Sequence, residues 1–230
     1  MEKTVKQNLN EIKESIEKAA QKAGRDPNEI QLMAVTKTKP AELIMEAYTA
    51  GHTLFGENRV LEARDKYETL PKDIELHLIG HLQRNKAKTA VALVEWIDSV
   101  DKLSTIKAIE KQCESTDKNI NILLEVNTSG EESKSGVRDE SDLWYLVDEM
   151  ANYPHQTLKG LMTIGPLTND ERAIRESFGT LYKLFESLKQ RYPELPVNTL
   201  SMGMSSDYTV AIEEGSTVVI IGSLIFGSRS

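Results

Sequence analysis

Alternation is what most constrains this chain. Eight short apolar runs of four to seven residues are separated by stretches with helical spacing. The runs are "IQLMAVT" (30–36), "TLFG" (53–56), "ELHLIG" (75–80), "EWIDSV" (95–100), "INILLEV" (120–126), "LKGLMTI" (158–164), "NTLSMG" (198–203) and "TVVIIG" (217–222). Nearly continuous apolar runs are what strands buried on both faces need. Between them the spacing predicts helices. Val5, Leu9, Ile12, Ile16 and Ala19 recur at three- and four-residue intervals ahead of a stop at Gly24. Ile174, Phe178, Leu181, Phe185 and Leu188 do the same within 171–191. Pro40 suits the first turn of a helix that stops at Gly51. Strands alternating with helices mean parallel strands joined by helical crossovers. Eight such units in 230 residues predict a single (β/α)8 TIM-type barrel over residues 1–230, with an extra N-terminal helix. A doubly wound open sheet is the alternative that the same pattern allows.

Composition narrows the partners. A net charge of −8 argues against nucleic acid and against anionic membrane surfaces, since both need a basic face. No apolar run approaches the ~18 residues of a membrane span, and the N-terminus lacks the apolar core of a signal peptide. Cys113 is the sole cysteine, so no intrachain disulfide forms and a reducing, cytoplasmic setting is expected. Cys113 falls in a helical stretch and reads as packing.

In a barrel the chemistry sits at the C-terminal ends of the strands. The first strand ends on "TKTKP". Met33, Val35 and Lys37 share one side of that strand, and if that side is the barrel interior, the Lys37 ammonium lies over an apolar floor. Desolvation lowers a lysine's pKa, and the neutral amine can attack an aldehyde. Lys39 reads as a solvated neighbour beyond the turn at Pro40. The loops after strands seven and eight, "SMGMSS" and "GSLIFG", are rich in the Gly and Ser that let backbone N–H groups and hydroxyls surround a phosphate. Strands one and eight are neighbours in a closed barrel, so Gly222 and Ser223 lie within reach of Lys37. His77, His81 and Asp98 lack the spacing of a metal site, and none is expected. "GEESKSG" (130–136) reads equally well as a charged, mobile loop or as part of the site.

Seven segments in order, "AVTKTKP", "FGENRV", "HLIGHLQRNK", "EVNTSGEESKSGV", "GLMTIGP", "LSMGMSSD" and "GSTVVIIGSLIFGSR", cover nearly the whole chain. Together they resemble the pyridoxal phosphate homeostasis proteins, relatives of the alanine racemase barrel domain. The resemblance implies a fold-type III barrel that holds pyridoxal 5′-phosphate as an aldimine on Lys37. It implies that Ser201, Gly222 and Ser223 hold the phosphate, with Asn58 and Met162 near the cofactor. Where the family pattern has an arginine facing the pyridine nitrogen, this chain has Ile220, which can neither repel a ring proton nor donate a hydrogen bond.

The resemblance also implies a role in vitamin B6 and amino-acid homeostasis without catalytic turnover. Two-base racemisation needs a second base, which in alanine racemases is a tyrosine from a separate β domain. This chain ends eight residues after Gly222, so no such domain is expected to follow. A monomer is expected, with pyridoxal phosphate as ligand and apo pyridoxal-phosphate enzymes as candidate recipients. Two alternatives remain on the sequence. One is a pyridoxal-phosphate-dependent racemase or lyase whose second base is His81 or Tyr208. The other is a cofactor-free enzyme that forms a Schiff base with sugar phosphates on Lys37.

Overall fold

The computed structural model describes residues 3–227. Its strands are β1 (Gln31–Val35), β2 (Leu54–Glu57), β3 (Glu75–Leu78), β4 (Trp96–Val100), β5 (Ile120–Glu125), β6 (Gln156–Met162), β7 (Thr199–Ser201) and β8 (Val218–Ile221). All neighbouring pairs are parallel, and β1 pairs with both β2 and β8. The sheet therefore closes into an eight-stranded barrel, and the open-sheet alternative is excluded.

The helices are α1 (Val5–Lys22), α2 (Ala41–Thr49), α3 (Val60–Tyr67), α4 (Ala87–Leu93), α5 (Leu103–Thr116), α6 (Glu140–Glu149), α7 (Glu171–Arg191), α8 (Tyr208–Glu213) and α9 (Ser223–Phe226). Local chemistry explains several of their ends. Thr4 caps α1 through a reciprocal pair, in which Gln7 N–H donates to Thr4 Oγ1 and Thr4 N–H donates to Gln7 Oε1. Pro40 sits at the N-cap of α2, one place before the first turn where its spacing predicts it. Because α9 is only one turn long, it cannot cover the closing strand. The N-terminal helix packs beside it, against α8, α9 and α2. Its buried face, Val5, Leu9, Ile12, Ile16, Ala19 and Ala20, is the one that the heptad-like spacing marks.

Two cores result. The larger lies between the sheet and the helices and includes Cys113, whose thiol is pushed up to about 11, first by burial and then by Glu110. The smaller fills one side of the barrel interior with Met33, Val35, Leu54, Ile79, Val218 and Ile220. Each such side chain contributes about 1.5–3 kcal/mol by leaving water. The side toward β3–β5 is polar. Gly56 faces Met33 and Ile79 in the interior, and His77 is its register partner. Its Nδ1 lies 2.9 Å from Asp98, its Nε2 lies 3.4 Å from Glu75, and its ring stacks on Trp96. Glu125 is buried next to Met162 in the β5–β6 register.

Among the described residues, no helix is long and apolar enough to cross a membrane. No group of three or more His, Cys, Asp or Glu residues among them could hold a metal ion.

Candidate functional site

At the C-terminal ends of β1, β2, β3, β6, β7 and β8 the barrel opens into a cavity of about 350 Å³. Its floor is Val35, Ile79 and Ile220, which are continuous with the apolar interior. One wall is the β1–α2 loop with Lys37, Thr38 and Lys39. The wall from β6 is Met162, Thr163 and Ile164, and the rim carries Asn58, Met204, Ser205, Ser206, Gly222 and Ser223.

The Lys37 wall is built by an abrupt end to β1. The strand stops at Val35, and Thr36 is buried, donating from Oγ1 to Glu57 at 2.7 Å. Lys39 N–H then donates to Thr36 O at 3.0 Å, which closes a turn. Within that turn Thr38 takes a φ of 62°, a region a β-branched residue rarely adopts. Lys37 is half-buried and lines the cavity above Val35, as strand parity predicts. Lys39 departs from the expectation of a solvated neighbour. It too is half-buried in the cavity wall, because the turn comes at Thr38 and not at Pro40.

The opposite rim depends on a glycine. Gly203 has a φ of 95°, and a Cβ there would lie 2.5 Å from the Ala211 Cβ. The chain can therefore turn from β7 into α8 only with no side chain at this position. Asp207 then shapes the serine loop by accepting Met204 N–H at 2.6 Å.

The residues singled out from the sequence largely converge. Lys37, Asn58, Met162, Gly222 and Ser223 all line the cavity. Ser201 does not. It is fully buried at the end of β7, beside Met162 in the β6–β7 register. Ser205 and Ser206 reach the rim instead. They lie in the loop that composition marks, but composition could not tell which of its serines face inward. The candidate second bases are elsewhere. His81 lines a separate cleft with Arg84 and Lys102, and the Tyr208 hydroxyl donates to Ser15 on α1 at 2.8 Å. The "GEESKSG" loop is pinned outside the cavity, with Lys134 bonding Glu131 at 2.6 Å and Gly165 O at 2.7 Å.

Several features fit a small phosphorylated aldehyde. Ser201 Oγ and Asn58 Oδ1 are buried without a hydrogen-bond partner, and such atoms call for one. The lining side chains include two lysines and no carboxylate, so the described wall favours an anion. A single-ring ligand matches the volume, which is near the lower end for ligand pockets.

The barrel and its lysine-bearing mouth define a class. The family model for the alanine racemase N-terminal domain matches residues 7–230, so the chain is a barrel of that class. An alanine racemase of Clostridium difficile 630 shares the fold alone, with 12% identity and a TM-score of 0.78 over 98% of this chain and 57% of the racemase. The pyridoxal phosphate homeostasis protein of Pasteurella multocida strain Pm70 is 40% identical over 229 residues, 98% of each chain. PipY of Synechococcus elongatus PCC7942, solved with PLP bound, is 32% identical with a TM-score of 0.84, over 97% of this chain and 100% of PipY. The chain belongs to the pyridoxal phosphate homeostasis protein family.

Proposed function

We propose that this protein holds pyridoxal 5′-phosphate at the barrel mouth and serves vitamin B6 and amino-acid homeostasis as a carrier or regulator, without catalytic turnover. When bound, the cofactor would supply an electrophilic aldehyde, and Lys37 is the residue whose amine would hold it. Gly222 and Ser223, which line the cavity, would hold the phosphate from the β8 side. Asn58 and Met162 flank the ring. PipY, solved with PLP bound, supports this reading of the shared fold.

One observation favours carriage over catalysis. Among the described lining residues, the ionisable side chains are Lys37 and Lys39, and both belong to the β1–α2 loop. The facing wall of Met162, Thr163 and Ile164 offers no acid or base. The Thr163 hydroxyl is engaged with Val126 O at 2.7 Å. Proton transfer on two faces of a carbanion needs groups on both sides, and this cavity presents them on one. A racemase or lyase using His81 or Tyr208 is disfavoured because neither lines the cavity. A reducing, cytoplasmic setting suits the buried free thiol of Cys113. Apo pyridoxal-phosphate enzymes are the recipients this reading calls for.

The test is the visible spectrum of the purified protein before and after borohydride, followed by peptide mapping, alongside racemisation and elimination assays on amino acids. The expected result is a pyridoxyl group on Lys37 and no turnover. Label on a lysine outside the cavity, or sustained turnover that is lost in Lys37→Ala, overturns the reading.

A further inference from the structure

Behind the Lys37 wall lies a cluster of charges that the binding of a cofactor does not itself require. The Lys66 ammonium, on α3, donates to Thr36 O at 2.7 Å and to Lys39 O at 3.2 Å. It therefore grips the chain on both sides of Lys37. The same ammonium pairs with Glu62 at 2.9 Å and with Glu57. Glu62 in turn accepts Thr38 N–H at 2.6 Å, at the one position of the loop with a left-handed backbone. Glu57 is fully buried and also holds Thr36 Oγ1, which contacts the Tyr67 hydroxyl at 2.9 Å. Three of the four residues from Thr36 to Lys39 are thus tied through their backbone to two α3 side chains.

The cost of this arrangement indicates its purpose. A buried carboxylate is unfavourable, and burial does raise the Glu57 pKa against the opposing pull of Lys66 and Thr36. A β-branched residue at positive φ is unfavourable as well. A plain surface turn could avoid both. What the clamp adds is a fixed path for the chain between two lysines that both line the cavity. If Thr38 relaxed to negative φ, the path of the backbone between Lys37 and Lys39 would change.

We propose that Lys66 and Glu62 are positioning residues: their hold on the backbone of residues 36–39 selects Lys37 over Lys39 as the amine presented to the cavity. The inference rests on the reading of Lys37 as the lysine that carries the cofactor.

The test uses the full-length protein with Glu62→Ala, Glu62→Gln and Thr38→Gly. Glutamine keeps an oxygen that can accept Thr38 N–H, and glycine adopts positive φ without help. In the cofactor-free protein, hydrogen exchange of the Thr38 amide should speed up at least tenfold in Glu62→Ala and stay near the parent rate in Glu62→Gln. On adding pyridoxal phosphate and borohydride, the parent and Glu62→Gln should carry the label on Lys37. Glu62→Ala should label Lys37 several-fold more slowly and shift part of the label to Lys39. Thr38→Gly, introduced into Glu62→Ala, should recover part of the Lys37 rate. If the parent is labelled on Lys37, and Glu62→Ala matches it in rate and site while its Thr38 amide exchanges faster, this inference alone is overturned. A parent labelled outside both lysines overturns the functional reading and this inference with it.

Discussion

Val35 and Gly222 meet where β8 closes on β1. A Cβ on Gly222 would lie 3.2 Å from the Val35 carbonyl oxygen and 3.3 Å from the Val35 Cβ. The contact is tight enough for alanine to need a small adjustment and for a branched side chain to displace the loop. Gly222→Val with Ser223→Val should cut affinity for pyridoxal phosphate by at least about tenfold, or ~1.4 kcal/mol, while affinity for unphosphorylated pyridoxal changes little. Titration of both ligands by absorbance checks it. An undiminished preference for the phosphorylated form would place the phosphate elsewhere.

Ile220 pairs in register with Met33 and lines the cavity floor, 8% exposed. Ile220→Arg would set a guanidinium among Val35, Leu54 and Ile79. Unfolding should become easier by about 2–4 kcal/mol, the penalty of a poorly paired buried charge. In the folded, loaded variant the added cation should lower the pyridine nitrogen pKa by like-charge repulsion. Nitrogen NMR on labelled cofactor across pH reads this directly. An identical pyridine titration in both proteins would mean residue 220 does not reach the ring.

The His77 imidazole is pulled down by burial, but Asp98 and then Glu75 outweigh that pull and take it up to about 9. A base with a raised folded pKa stabilises the fold fully below its ordinary 6.5, and that stabilisation is lost as pH rises through 9. Asp98→Asn removes the main opposing charge, so the His77 pKa should fall to 6.5 or lower, as seen in imidazole proton NMR. The alkaline loss of stability should shrink with it. A His77 titration that stays near 9 in the variant would assign the raised value to other groups.

Glu125 has the opposite sign. Burial, reinforced by Asp101, raises its carboxyl from 4.5 to about 7. An acid raised in this way binds its proton more tightly in the folded state, so stability declines as pH climbs from the carboxyl range through 7. Glu125→Gln stays neutral. From about pH 5 to about pH 8, its stability relative to the parent should rise by roughly 2–3 kcal/mol. Denaturant melts at several pH values give the comparison, and two parallel curves would contradict it.

Much of the site could be read along the chain because it follows strand order. Lys37 shares parity with Met33 and Val35, and a buried strand fixes parity within a few residues. Gly222 and Ser223 follow from β8 being the neighbour of β1. Ser201 illustrates the limit. It stands at the end of the right strand, yet its side chain is buried beside Met162 while Ser205 and Ser206 reach the rim. The path of a loop after its strand depends on Gly203 against Ala211 and on Asp207 holding Met204, and no periodicity encodes these contacts.

The sequence by itself determined the alternation of eight strands with helices and the lysine at the first strand's end, while closure of the sheet into a barrel was decided by β1 pairing with β8. Apolar periodicity is local, and a strand buried on both faces admits few substitutes. Only the tertiary structure decided that Lys39 joins Lys37 in the wall, that His81 and Tyr208 lie away from it, and that Lys66 grips both flanks of Lys37. Lys66 reaches Thr36 and Lys39 across 30 and 27 residues of chain. A side chain's partner at that separation is set by how α3 packs back on the sheet, and packing is a property of the closed barrel that no short window of sequence contains.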